Sequence, residues 1–264
     1  MSQPLLQVEN LAVHIGGLVA IADASFVVPE GQVVSLIGPN GAGKTTAFNV
    51  ITGYMRPTRG RILFAGAEVS GLPPDRIAER GIVRSFQRTS VFGGCTVLEN
   101  ALMALHRRGS AGLLGALLRL PATRREEARL NAEAWAMLEF VGLAGRAETP
   151  AEVLAYGEQR RLGIALAAIA NPRLLLLDEP AAGLNPSETT ACMALIRQLR
   201  DRGMTVLLVE HDMPMVMQIS DSIVVLNQGR IIATGAPAEI RRHPEVIRAY
   251  LGSGAHQETA HAAA

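Results

Sequence analysis

The stretch Gly38, Pro39, Asn40, Gly41, Ala42, Gly43, Lys44, Thr45, Thr46 carries the spacing G-x-x-x-x-G-K-T, which suits the grip of a triphosphate. Glycines let successive backbone N–H groups turn toward one anion, and a helix opening at Lys44 would aim its positive end at the same place. Lys44 can reach the β- and γ-phosphates as a compact charge, and the Thr45 hydroxyl is a hard oxygen donor of the kind Mg²⁺ takes. Lys44 is also the one lysine among 25 Lys and Arg residues. A chain that writes arginine everywhere else keeps a point charge here, where a planar fork would not fit.

A second group of candidates sits at the ends of apolar runs. Leu174 to Leu177 leads into Asp178 and Glu179, which places two acids at the carboxyl end of a buried strand, where α/β sheets bind ligands. Asp178 is placed to hold Mg²⁺, directly or through water, and Glu179 to orient or deprotonate a water attacking the γ-phosphate. The run Thr205 to Val209 ends in Glu210, His211 and Asp212. His211 could hydrogen-bond the γ-phosphate and the attacking water, although a lone histidine at a strand end is more often structural. Leu154 to Gln159, with Ala155 and Gly157, precedes a long helix expected over about Gln159 to Ala170. Free N–H groups beyond Gly157 offer a second anion site, while the local residues alone read more simply as an ordinary helix start.

Strands must carry these residues to one edge. The spacing predicts strands over Leu5 to Val13 and Leu18 to Val28, with no helix before the strand Val33 to Ile37, so an antiparallel sheet should lie beside a parallel one. A helix over Lys44 to Thr52, strands over Arg61 to Ala65 and Ile82 to Phe86, and a short helix over Asp75 to Arg80 follow. From Arg88 to Val153 strand signals vanish and helical ones replace them. On the helix Glu126 to Val141, the residues Ala128, Ala132, Trp135 and Leu138 share a face, so Trp135 reads as a core anchor. The β/α rhythm returns with a helix over Ser187 to Arg200, the strand Thr205 to Val209, a hairpin over Ser222 to Leu226 and Arg230 to Ala233, and a helix over Pro244 to Leu251. The expected organisation is 1–87 and 154–251 as halves of one core, 88–153 as an inserted helical lobe, and 252–264 as a disordered tail.

Composition narrows the classes. A chain of 264 residues with 48% hydrophobic and 19% charged residues can bury a large core. The net charge of +1, without a basic run interleaved with aromatics, gives no footprint for nucleic acid. Met1 to Val13 lacks the basic start of a secretory signal, and no apolar stretch approaches the roughly 18 to 20 residues that span a bilayer, so a cytosolic chain able to dock on a membrane partner is expected. Cys95 and Cys192 stand apart from each other and read as core or helix-face residues.

Taken together, these motifs resemble the ATP-binding subunits of ATP-binding cassette transporters over nearly the whole chain. Their order is the family's: the phosphate loop Gly38 to Thr45, the glutamine of Ser85-Phe86-Gln87, the signature Leu154 to Gln159, the acidic strand Leu174 to Glu179, the loop Ala182 to Asn185, and the switch histidine His211. Ala181 to Pro186, Val209 to Met213 and the ending Val246 to Gly252 look like the ATPase of branched-chain amino-acid importers.

The resemblance implies an α/β fold: a P-loop NTPase core, its mixed sheet combining a parallel RecA-like part with an antiparallel N-terminal part, and an inserted helical subdomain. It implies ATP and Mg²⁺ as cofactors, with Gln87 as a further Mg²⁺ contact. It also implies two ATPase subunits, identical or sister chains, closing head to tail so that each ATP lies between residues 38–46 of one chain and Ala155, Gly157 and Gln159 of the other. Membrane permease subunits would dock beside Arg88 to Val97, an extracytoplasmic solute-binding protein would supply the solute, and the chain would lie on the cytoplasmic face of the membrane. Three positions depart from the family pattern. Ala155 replaces a serine, Asn185 replaces an aspartate, and Ile15, beside His14, stands where an aromatic often stacks on adenine. Alternatives are a soluble cassette ATPase, a regulatory cassette without turnover, or a cassette serving another solute.

Overall fold

The computed structural model describes residues 4–85, 91–105 and 121–250, so Gln87 and the expected tail 252–264 lie outside the described residues. A single ten-stranded sheet runs in the order β5-β4-β1-β2-β10-β9-β3-β8-β7-β6. Its parallel part contains β3 (Val33–Ile37), β6 (Ile82–Arg84), β7 (Leu174–Asp178), β8 (Thr205–Val209) and β9 (Ser222–Asn227). Every residue of β3, β7 and β8 is buried, which is why these strands are continuous apolar runs rather than alternating ones. The period of two survives in the packing. Leu175, Leu177, Val206 and Leu208 face one core, while Leu174, Leu176, Leu207 and Val209 face the other.

The antiparallel part comprises β1 (Leu6–Ile15), β2 (Leu18–Val28), β4 (Arg59–Phe64) and the two-residue β5 (Ala67–Glu68). It joins the rest at one register pair, where β10 (Arg230–Gly235) meets β2 through Arg230 and Asp23. The expected end of β1 at Val13 is corrected: His14 and Ile15 pair with Val19 and Leu18, which leaves only Gly16 and Gly17 to make the turn. β9 and β10 form the expected antiparallel hairpin.

α1 (Lys44–Ile51) follows β3, and α2 (Pro74–Glu79) precedes β6. Between β6 and β7 the described residues form α3 (Val97–Leu105), α4 (Pro121–Phe140), two short 3₁₀ turns and α5 (Tyr156–Ala168). The buried face of α4 is not the one its alanines mark. Ala128 and Ala132 are exposed, Ala134 and Leu138 are buried, and Trp135 is only partly covered against the core. Alanine tolerates either face, so its spacing is a weak guide. α5 begins three residues before the expected Gln159. Its first turn is closed by Glu158, whose Oε2 accepts the Ala155 N–H at 3.0 Å, and Ala155 lacks the side-chain oxygen that marks most helix starts.

α6 (Pro186–Asp201), α7 (Met213–Ile219), α8 (Pro237–Ile240) and a helix over 244–250 complete the described chain. Cys192 on α6 is buried, and burial pushes its thiol up to about 12, while Cys95 is half-buried. Among the described residues no helix is long and apolar enough to cross a membrane.

Candidate active site

β3 delivers the chain into the loop 38–43, and close packing fixes the glycines there. A Cβ on Gly38 would lie 1.9 Å from the Leu226 carbonyl oxygen. Gly43 has φ +106 and a Cβ there would come within 2.6 Å of the Ala20 carbonyl oxygen, so a side chain is barred by both conformation and space. Ala42 is buried and accepts the Gly229 N–H at 3.0 Å, so the β9–β10 turn braces the loop. Pro39 is half-buried and Asn40 and Gly41 are exposed. Lys44 is buried at 6% exposure, and its Nζ donates to the carbonyls of Gly38 at 2.7 Å and Pro39 at 3.0 Å. Burial lowers its ammonium pKa, against the opposing pull of Glu179 and Asp178. Leu36 of β3 and Asp178 of β7 both pair with Val209 of β8, which sets the acidic strand end level with the strand that enters the loop. Thr45 is exposed and Thr46 half-buried in the first turn of α1.

Asp178, the last residue of β7, is 4% exposed and pairs in register with Val209. Glu179 follows with φ +48, a left-handed backbone that costs a non-glycine residue about 1–2 kcal/mol. The conformation is held from β8, because the Glu179 N–H donates to the Val209 carbonyl at 2.9 Å. It turns the carboxylate toward His211, whose Nε2 lies 2.9 Å from Glu179 Oε1. Two strand ends separated by 32 residues thus deliver an acid and an imidazole to one point.

The donor set fits both expected cofactors. The loop offers a buried ammonium and a helix start to phosphate, and Asp178, whose Oδ2 is paired with Arg84, would leave Oδ1 to join the Thr45 hydroxyl in the one-carboxylate oxygen set that Mg²⁺ takes when phosphates complete it. The segment 155–159 is not part of this cluster. Ala155 is exposed, Gly157 is packed on Glu188, and the Gln159 amide donates to the Leu154 carbonyl at 3.1 Å. Ile15 lies at the end of β1 with 48% exposure, beside the exposed Leu18 and Val19, and the same hairpin touches Gly43 through Ala20.

A sequence model of the ABC transporter family matches residues 21–182, more than half of the chain. The chain belongs to the ATP-binding cassette transporter family. A second model, described as a branched-chain amino acid ATP-binding cassette transporter, matches residues 230–256 of the cassette. The high-affinity branched-chain amino acid transport ATP-binding protein BraF of Pseudomonas aeruginosa is 51% identical over 96% of the cassette and 99% of its own length. The corresponding LivG protein of Escherichia coli K12 is 49% identical over the same shares. Among solved structures, an ATP-binding cassette of an ABC transporter in its ADP conformation superposes with a TM-score of 0.83 at 30% identity, covering 95% of the cassette and all of that chain.

The cassette is an ATPase of that family, and its site includes residues the motifs do not reveal. Arg84, at the end of β6, forms a short ion pair with Asp178 Oδ2 and donates through Nη1 to Asn49 Oδ1 at 2.7 Å, with its guanidinium 5.6 Å from the centre of the Phe48 ring. It therefore connects the acidic strand to the helix after the phosphate loop. Glu210 is buried at 3% exposure, and its two oxygens accept the N–H groups of Ala181 at 2.7 Å and His211 at 3.0 Å. Burial raises its carboxyl pKa, and those backbone donors pull it back down. Tyr250 has its phenol raised to about 12 by burial, with a Gly38 N–H bond acting the other way, so the C-terminal helix reaches the phosphate loop. Asn185 caps α6, accepting the Glu188 N–H at 3.0 Å. Asparagine and aspartate cap equally well, so this departure leaves the local fold intact.

Proposed function

We propose that the cassette cleaves ATP, with Mg²⁺ bound, to power the import of branched-chain amino acids. It would work as one of two ATPase subunits, identical or sister chains, on membrane permease subunits at the cytoplasmic face of the inner membrane, with an extracytoplasmic solute-binding protein delivering the solute. The cleavage of ATP rests above all on the 2.9 Å contact of His211 with Glu179 beside a buried lysine in a glycine loop, and the solute on the 51% identity to a branched-chain amino acid transport ATP-binding protein. Glu179 accepts the proton of the attacking water, and His211 holds that carboxylate and faces the γ-phosphate. Lys44 exchanges the carbonyls of Gly38 and Pro39 for phosphate oxygens. Thr45, Asp178 and Gln87 would hold Mg²⁺, which neutralises phosphate charge when bound. Ala155 to Gln159 opens α5 with its first residues exposed, so it is available to the triphosphate held by the other subunit. Losing the γ-phosphate then removes the charge the two subunits share, and they part.

Reconstitution with the permease subunits tests this. ATP-dependent leucine uptake into liposomes is expected, and ATP hydrolysis indifferent to the permease would remove the transport role. Lys44→Ala is expected to weaken ATP binding roughly tenfold to a hundredfold by calorimetry, because a charge-assisted contact is worth about 1.5–3 kcal/mol. The wild type should show a pH dependence of the same origin. Burial lowers Lys44 below the 10.5 of an ordinary lysine, so affinity should decline as pH rises through that lowered value and before 10.5 is reached. Affinity flat up to pH 10.5 would contradict the assignment.

A further inference from the structure

We propose that Tyr156 is a positioning residue that fastens the start of α5 to the loop 182–185, so that the segment offered to the other subunit's nucleotide and the loop leaving this chain's own Glu179 move as one body. The inference rests on the two-subunit reading above. Tyr156 is 48% exposed, yet both its ring and its hydroxyl make specific contacts. The hydroxyl donates to the Ala182 carbonyl at 3.0 Å and accepts from Arg160 Nε at 3.1 Å, and the Arg160 guanidinium also lies 5.2 Å from the ring centre. The ring lies so close to Gly183 that a Cβ there would stand 3.1 Å from it.

A second close contact sits at the next residue. A Cβ on Gly157 would lie 2.5 Å from Glu188 Oε1, and the other carboxylate oxygen of Glu188 accepts the Asn185 N–H at 2.9 Å. The first turn of α5 is thus hydrogen-bonded to the loop at Ala182 and packed against the side chain that closes its other end. The loop is also tied to the acid, because the Ala182 N–H donates to the Glu179 carbonyl at 3.1 Å. A continuous path results: the Glu179 peptide to Ala182, Ala182 to the Tyr156 hydroxyl, and Tyr156 to the exposed helix start. A shift at one nucleotide is carried to the surface that meets the other without repacking the core. Glu158 and Gln159 close this helix start on itself, and Tyr156 is the side chain that hydrogen-bonds it to the loop.

Tyr156→Phe tests the idea with the full-length chain, since it removes the hydroxyl and keeps the ring. Without nucleotide, amide hydrogen exchange of a peptide spanning 182–185 should quicken about two- to tenfold, the range expected for one neutral hydrogen bond, while a peptide from α1 is unchanged. In a Glu179→Gln background, ATP-driven association of two subunits should weaken by a similar factor. Unchanged exchange over 182–185 would overturn the fastening, and faster exchange with unaltered association would overturn the coupling. A Glu179→Gln chain with wild-type Tyr156 that fails to associate with ATP would count against the two-subunit reading instead, because the exchange measurement needs no nucleotide.

Discussion

Glu179→Gln is expected to lower steady-state ATP turnover about 10²–10⁴-fold, the usual contribution of a positioned general base, with nucleotide binding retained. The amide keeps the length of the side chain and can still hydrogen-bond His211 Nε2, 2.9 Å away, and the backbone bond from residue 179 to Val209 does not involve the side chain. What disappears is the ability to accept a proton from water. ATP should therefore remain intact between two subunits, and the closed pair should accumulate on size-exclusion chromatography with ATP. Phosphate release at the wild-type rate from the purified variant would remove Glu179 from the chemistry.

Arg84→Ala is expected to destabilise the chain by about 3–5 kcal/mol, because it leaves Asp178 buried without its cation. The aspartate side chain is 3% exposed and that of Arg84 12%, so the charge left behind lies away from bulk water. Urea unfolding should show a lower midpoint with a similar slope. Most of the loss should vanish in an Asp178→Asn background, where no charge is stranded. An equal loss in both backgrounds would mean that Arg84 acts through its packing on Phe48 and not through the ion pair.

How much could be read beforehand follows from how local each signal is. β3, β7 and β8 were legible because strands covered on both faces must be continuously apolar, and the glycine loop was legible because close approach leaves only glycine at 38 and 43. The start of α5 was misplaced because its N-cap is an alanine, which carries no capping signal. The α4 face was misread because alanine spacing does not report burial. Arg84 and Glu210 carry no local sign of their roles, for another reason. Their partners lie 94 and 29 residues away, and only the folded sheet makes them neighbours. Asp178, Glu179 and His211 came out of strand-end position, yet their mutual geometry needed the parallel register of β7 with β8.

The left-handed backbone at Glu179 bears on how such a chain would age. Asparagine or glycine would sit there with less steric penalty than glutamate, so folding alone does not call for an acid at this position. A descendant freed from the need to cleave nucleotide would gain firmness by exchanging this residue first.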